Sequence, residues 1–70
     1  MNRKNLNQLK KALPWGAQLD VAKALSVSPS SVSQVLSGKI ENATILQALL
    51  KKAQDYKKKL DAIEKEVEKL

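Results

Sequence analysis

The sequence predicts an all-α chain, a small bundle of about four helices whose last member is far longer than the rest. Three observations point there. Only two Gly and two Pro punctuate the 70 residues, β-branched residues never alternate over a strand-length run, and apolar residues recur at helical spacing in each segment.

Taken in order, Leu6, Leu9 and Leu13 fall at i, i+3 and i+7, which predicts a first helix with a narrow apolar stripe. Pro14 and Gly16 end it. Trp15 sits in that break and is expected to pack across the corner to the next helix. A second helix is expected from about Ala17 to Leu25, with Leu19, Val21, Ala22 and Leu25 turned inward. The start of the third helix is the best-marked boundary. The Ser28 hydroxyl suits an N-cap, where it accepts from a free backbone N–H one turn ahead, and Pro29 suits the first helical position, where a missing N–H costs nothing. Gly38 suits the stop, because the residue after a helix often needs a left-handed backbone. The third helix is therefore expected over Pro29 to Ser37.

From Ala43 to Leu70 neither Gly nor Pro occurs. Alternating steps of three and four connect Leu46, Leu49, Ala53, Tyr56, Leu60, Ile63, Val67 and Leu70, an unbroken heptad seam. Ile45 and Leu50 broaden the apolar stripe near its start, as expected of a helix packed on a globular core. Beyond Ala53 only the narrow seam continues. Residues 1–53 are thus read as the globular domain, and 54–70 as an extension of the last helix that needs a partner helix. Ala53, Tyr56, Leu60, Ile63, Val67 and Leu70 are the expected dimerisation residues of a homodimeric coiled coil.

Charges beside the seam bear on strand orientation. In a parallel pair Lys59 faces the partner's Glu64 favourably, but Lys52 faces Lys57. In an antiparallel pair centred between Leu60 and Ile63, Lys57 faces Glu64 and Lys59 faces Glu66, both opposite in sign. Each exposed pair is worth about 1 kcal/mol or less, so the preference for antiparallel is mild, and folding of this helix onto its own domain is the alternative.

Composition narrows the function classes. A single core of this length rarely supplies more than about 3–5 kcal/mol, and with no Cys or His the chain has neither disulfides nor a zinc site to add to it. The remaining sources of stability are unusually regular helix packing and association with another chain, of which association is favoured. The same lack of His and Cys leaves little for catalysis, so no enzyme activity is expected. No cofactor, metal or small-molecule ligand is expected either. No apolar run approaches a membrane span or a signal peptide, so a cytoplasmic, nucleoid-associated location is the expectation. The formal net charge is +6, and it is unevenly spread. Up to Lys59 the chain carries eleven Lys or Arg against three acids, Asp20, Glu41 and Asp55; from Leu60 onward Lys65 and Lys69 meet Asp61, Glu64, Glu66 and Glu68. A basic front is the electrostatic footprint expected of a nucleic-acid binder, and acidic proteins and anionic lipid surfaces attract it equally well.

The segment Gln18 to Ser37 resembles the helix-turn-helix of the Cro and cI phage-repressor family, also called the XRE family. Ala22 stands where the two helices cross, and Val21, Leu25, Val27, Val32 and Val35 occupy the family's inward apolar positions. The stretch Val27 to Lys39 is similar to the recognition helix and the turn after it. The likeness covers about Leu6 to Ala53. Ser26 departs from it, standing where Gly is usual at a left-handed turn, at a cost of roughly 1 kcal/mol. The seam beyond Ala53 lies outside the family pattern.

The resemblance implies a lambda-repressor-like DNA-binding domain and a transcription regulator, a small repressor that binds a palindromic operator in double-stranded DNA. Val32, Val35 and Leu36 take one face of the third helix, leaving Ser30, Gln34 and Ser37 on the other, flanked by Ser31 and Ser33. No acid lies between Asp20 and Glu41 to repel phosphate. A capping box would place Glu or Gln at Ser31, and without one the positive end of the helix dipole stays open to an anion. Gln34 is the candidate for direct readout, because its amide pairs in bidentate fashion with adenine. Ser28, Ser30, Ser31, Ser33 and Ser37 are candidate base or phosphate contacts. The family likeness gives Gln18 a positioning phosphate contact, with Lys23 and Lys39 as further phosphate partners and Asn2-Arg3-Lys4 as a flexible arm.

Lys51, Lys52, Lys57, Lys58 and Lys59 read as a solvated helix surface. The competing function is a protein-interaction adaptor that acts through its coiled coil. Peripheral membrane binding fits poorly, since these lysines share their helix with Asp55, Asp61 and three Glu.

Overall fold

The computed structural model describes residues 3–70, and within them the chain is all-helical: α1 (Arg3–Ala12), α2 (Ala17–Leu25), α3 (Pro29–Leu36) and the long α4 (Ala43–Glu68). No described helix is long and apolar enough to cross a membrane.

Local chemistry sets the helix ends. Between α1 and α2 the Ala17 N–H donates to the Pro14 carbonyl at 3.2 Å, and Gly16 adopts φ 83°, ψ −4°. Those angles belong to the third residue of a type II turn, which a glycine tolerates without strain. Helix α3 begins as its sequence suggests: the Ser28 hydroxyl accepts from the Ser31 N–H at 3.2 Å, and Pro29 opens the helix. Asn42 does the same for α4, its Oδ1 accepting from the Ile45 N–H at 3.1 Å.

Helices α2 and α3 end in the same paired-bond motif. After α2, Val27 N–H donates to Ala22 O (3.0 Å) and Ser26 N–H to Lys23 O (3.3 Å); after α3, Lys39 N–H donates to Gln34 O (2.9 Å) and Gly38 N–H to Val35 O (3.1 Å). Each motif needs a left-handed residue. Gly38 fills that role at φ 81°, and Ser26 fills it at φ 56°, the strained position expected for a serine there. Gly38 is also hemmed in, since a Cβ there would lie 3.3 Å from Leu6 Cδ1 on α1.

The core is entirely aliphatic. Leu9 of α1, Val21 and Ala22 of α2, Val32, Val35 and Leu36 of α3, and Ile45, Leu49 and Ala53 of α4 form one buried cluster. Helices α2 and α3 pack most closely on each other, and α4 crosses α1, α2 and α3. Burial along α4 ends at Ala53; Tyr56 is half-buried, and every residue from Lys57 onward is exposed.

Several expectations are corrected. Trp15 is 101% exposed instead of covering the α1–α2 corner, because it stands at the second position of the type II turn and Ala17 fills the corner in its place. Leu19 is exposed, since it lies about 200° around α2 from the buried Ala17 and Val21 at 3.6 residues per turn. Leu50 is also exposed; Ile45 alone widens the buried stripe of α4. Arg3 and Lys4 belong to the first turn of α1 and form no flexible arm, while Asn2 lies outside the described residues. Ala53 is covered within its own chain and offers no surface to a partner.

Candidate nucleic-acid interface

Helix α3 buries one face and turns the other to solvent. Val32, Val35 and Leu36 are almost wholly buried, and since positions three and four apart share a helix face, Ser30, Ser33, Gln34 and Ser37 all fall on the exposed side. Ser31 lies at the margin, half-buried. The outward face carries hydroxyls and one amide, with neither bulk nor charge.

Hydrogen bonding divides these side chains into two sets. Ser28 and Ser31 are occupied by the cap: besides the Ser31 N–H bond, their two hydroxyl oxygens lie 2.9 Å apart. The Ser37 hydroxyl donates to the Gln34 carbonyl at 3.1 Å and keeps only acceptor capacity for a ligand. Ser30, Ser33 and the Gln34 amide have no side-chain hydrogen bond among the described residues. They are the groups whose donors and acceptors water satisfies and a ligand can take over. The cap that occupies Ser28 also uses the Ser31 N–H, so the open positive end of α3 is narrower than the missing capping box suggests.

Helix α2 frames this face. Gln18, half-buried, is the second residue of α2, whose N-terminus has no side-chain cap; Lys23 is exposed in its last turn. Lys39 is exposed just past the end of α3. Asp20, the acid of α2, has its carboxylate 3.9 Å from Lys52 Nζ on α4. Both side chains are half-exposed, so the pair adds little stability, yet it sets a positive charge beside the acid of this helix.

Trp15 is the residue that the sequence reading missed here. It projects from the turn immediately before α2, close in the chain to Gln18, with Leu19 also exposed. Gly16 was the available signal, because a glycine at the third position of a tight turn places its predecessor at the tip.

The dimerisation candidates divide as well. Ala53 is buried and Tyr56 half-buried within the monomer, whereas Leu60, Ile63 and Val67 are exposed along one stripe of α4; the helix expected to reach Leu70 ends at Glu68, and Leu70 is exposed just past its end. Beside Tyr56 a cleft of about 330 Å³ opens between α1 and α4, lined by Lys11, Ala12, Ala53, Gln54, Tyr56, Lys57 and Leu60. No protein-family model matches the chain, and neither a curated protein nor a solved structure matches it.

Proposed function

We propose that the chain is a sequence-specific regulator of transcription that binds double-stranded DNA, a small repressor of the Cro/cI (XRE) type. It inserts α3 into the major groove and reads a palindromic operator as a homodimer. The observation that carries this reading is the outward face of α3, where Gln34, Ser30 and Ser33 are exposed and unpaired. A slim polar face is what a groove admits closely, and a Gln amide matches the donor–acceptor edge of adenine.

The surroundings support it. Helix α2 joins α3 through the tight Ser26 turn; in a helix-turn-helix the first helix crosses the phosphate backbone while the second enters the groove. Gln18, Lys23, Lys39 and the indole N–H of Trp15 then contact phosphates. These contacts position α3 and make binding salt-dependent. One α3 offering a single Gln reads few base pairs, so a dimer binding half-sites about 34 Å apart supplies the rest of the specificity.

The test is a selection from random duplex DNA at about 50 mM salt, where phosphate contacts are strongest. Enrichment of a palindrome is the expected result, and Gln34→Ala should then relax preference at one base pair per half-site by about 1–3 kcal/mol while leaving the others intact. Failure to enrich any sequence would overturn the reading. The exposed stripe of Leu60, Ile63 and Val67 favours the second reading, an adaptor acting through its coiled coil. That reading takes over if the chain forms stable oligomers yet selects no DNA.

A further inference from the structure

The exposed end of α4 carries an apolar stripe, and a second part of the same molecule has a cleft to receive it. Leu60, Ile63 and Val67 are 42%, 53% and 59% exposed, and Leu70 fully so. The cleft between α1 and α4 is lined by Ala12, Tyr56 and Leu60, with Lys11 and Lys57 at its edge. A chain cannot fill its own cleft. From Ala53 to Glu68 the helix runs on for about 22 Å at 1.5 Å per residue, which carries the stripe away from α1. The Leu70 N–H closes its end by donating to the Val67 carbonyl at 3.0 Å.

Charge on the two sides is complementary. Lysines border the cleft and the adjoining turns of α4 (Lys11, Lys57, Lys59), whereas the stripe is bordered by Glu64, Glu66 and Glu68. The charges also discriminate between registers. When two copies of α4 run antiparallel about an axis between Leu60 and Ile63, Lys57 meets Glu64 and Lys59 meets Glu66, each twice by symmetry. Shifting that axis by half a heptad toward the domain places Lys57 against Lys57 and Lys59 against Lys59. Shifting it by the same amount toward the tail places Glu64 against Glu64 and Glu66 against Glu66. A parallel pair sets Lys52 against Lys57. Of these arrangements, one satisfies all four flanking positions.

In that register Leu60 meets Ile63 and Val67 meets Tyr56, while Leu70 arrives at the level of Ala53. Ala53 is covered by its own domain, so the Leu70 side chain enters the neighbouring cleft beside Ala12. Glu68, one turn beyond Glu64 on the same side, then comes opposite Lys11. We propose that the occupant of the α1–α4 cleft is the tail of a second copy of this chain, bound antiparallel with Leu70 against Ala12 and Glu68 against Lys11. This rests on the seam pairing of the proposed function and adds α1 to the interface. It also sets the two globular units at opposite ends of the shared helical segment.

The chain has no cysteine, so introduced thiols can be followed without background. Chains carrying Ala12→Cys and chains carrying Leu70→Cys are mixed and oxidised, and Leu60→Cys is oxidised separately. The expected result is a disulfide-linked heterodimer in the mixture and little product from Leu60→Cys alone. A charge exchange supplies the second arm. Lys11→Glu should weaken the dimer about fivefold by sedimentation, and adding Glu68→Lys in the same chain should restore it. Efficient Leu60–Leu60 cross-linking, or no effect of Lys11→Glu, overturns the cleft and its register while leaving a seam dimer standing. A chain that sediments as a monomer at all concentrations overturns both, and with them the homodimer of the proposed function, while DNA binding by a single globular unit is read separately in the duplex selection.

Discussion

The two halves of α4 share one helix and one unbroken apolar seam, yet they meet opposite fates. Of the seam, Leu49 and Ala53 vanish beneath α1, α2 and α3 with Ile45 buried beside them and Leu46 half-buried, whereas Leu60, Ile63 and Val67 stand about half-exposed. Spacing is the same in both halves; the difference lies in what crosses over them. A heptad pattern therefore specifies that a stripe will be covered and leaves open whether the cover comes from the same chain. The first half uses its stripe to hold the fold, and the second has it available for association.

Leu49 and Ile63 occupy the same heptad position, so truncating each tests the contrast directly. Leu49→Ala should cost about 2–5 kcal/mol, because Leu49 is fully buried and leaves a cavity. That is comparable to the ~3–5 kcal/mol a core of this size supplies, so circular dichroism should show a large loss of helix. Leu60→Lys should leave the helical signal of the globular unit in place and turn dimers into monomers by sedimentation, with severe loss of operator binding. An unchanged mass would break the division of labour between the halves. Ile63→Ala should lower the melting temperature only at concentrations where dimers form, since its cost of about 1–2 kcal/mol is felt through association. An equal loss in dilute solution would show that Ile63 supports the monomer. The smallest effect sharpens the comparison from the other side. Ser26→Gly relieves a left-handed serine and should raise stability by about 0.5 kcal/mol, a few degrees of melting temperature, without moving the dimer constant.

Helix boundaries were legible wherever they depend on chemistry close in sequence. Ser28, Pro29 and Gly38 bound α3 through bonds spanning a few residues, whereas the left-handed backbone at Ser26 was expected from the family resemblance and not from its own neighbours. Directions that depend on tertiary neighbours were harder to read. Leu19 was misassigned because a nine-residue helix gives too short a stripe to fix its phase, and Ala17, too small to announce itself, is the residue that fills the corner. Trp15 was misread because apolar size argues for burial, whereas the turn type decides where the ring points. Ala53 was read as part of the seam because periodicity continues through it; only the position of α1 shows that it is already covered. In the candidate interface, the side of α3 that faces solvent followed from Val32, Val35 and Leu36. The engagement of Ser31 and Ser37 hydroxyls with their own helix did not, because hydroxyl partners depend on rotamers that spacing does not fix.

An aliphatic core with its tryptophan outside it also has an optical consequence. Trp15 is already in water in the folded chain, so its emission should change little when the core melts. The indole instead reports on whatever approaches the start of α2. Tryptophan emission, excited where Tyr56 does not absorb, is thus nearly silent about folding, and a shift on adding a duplex comes from a single known place.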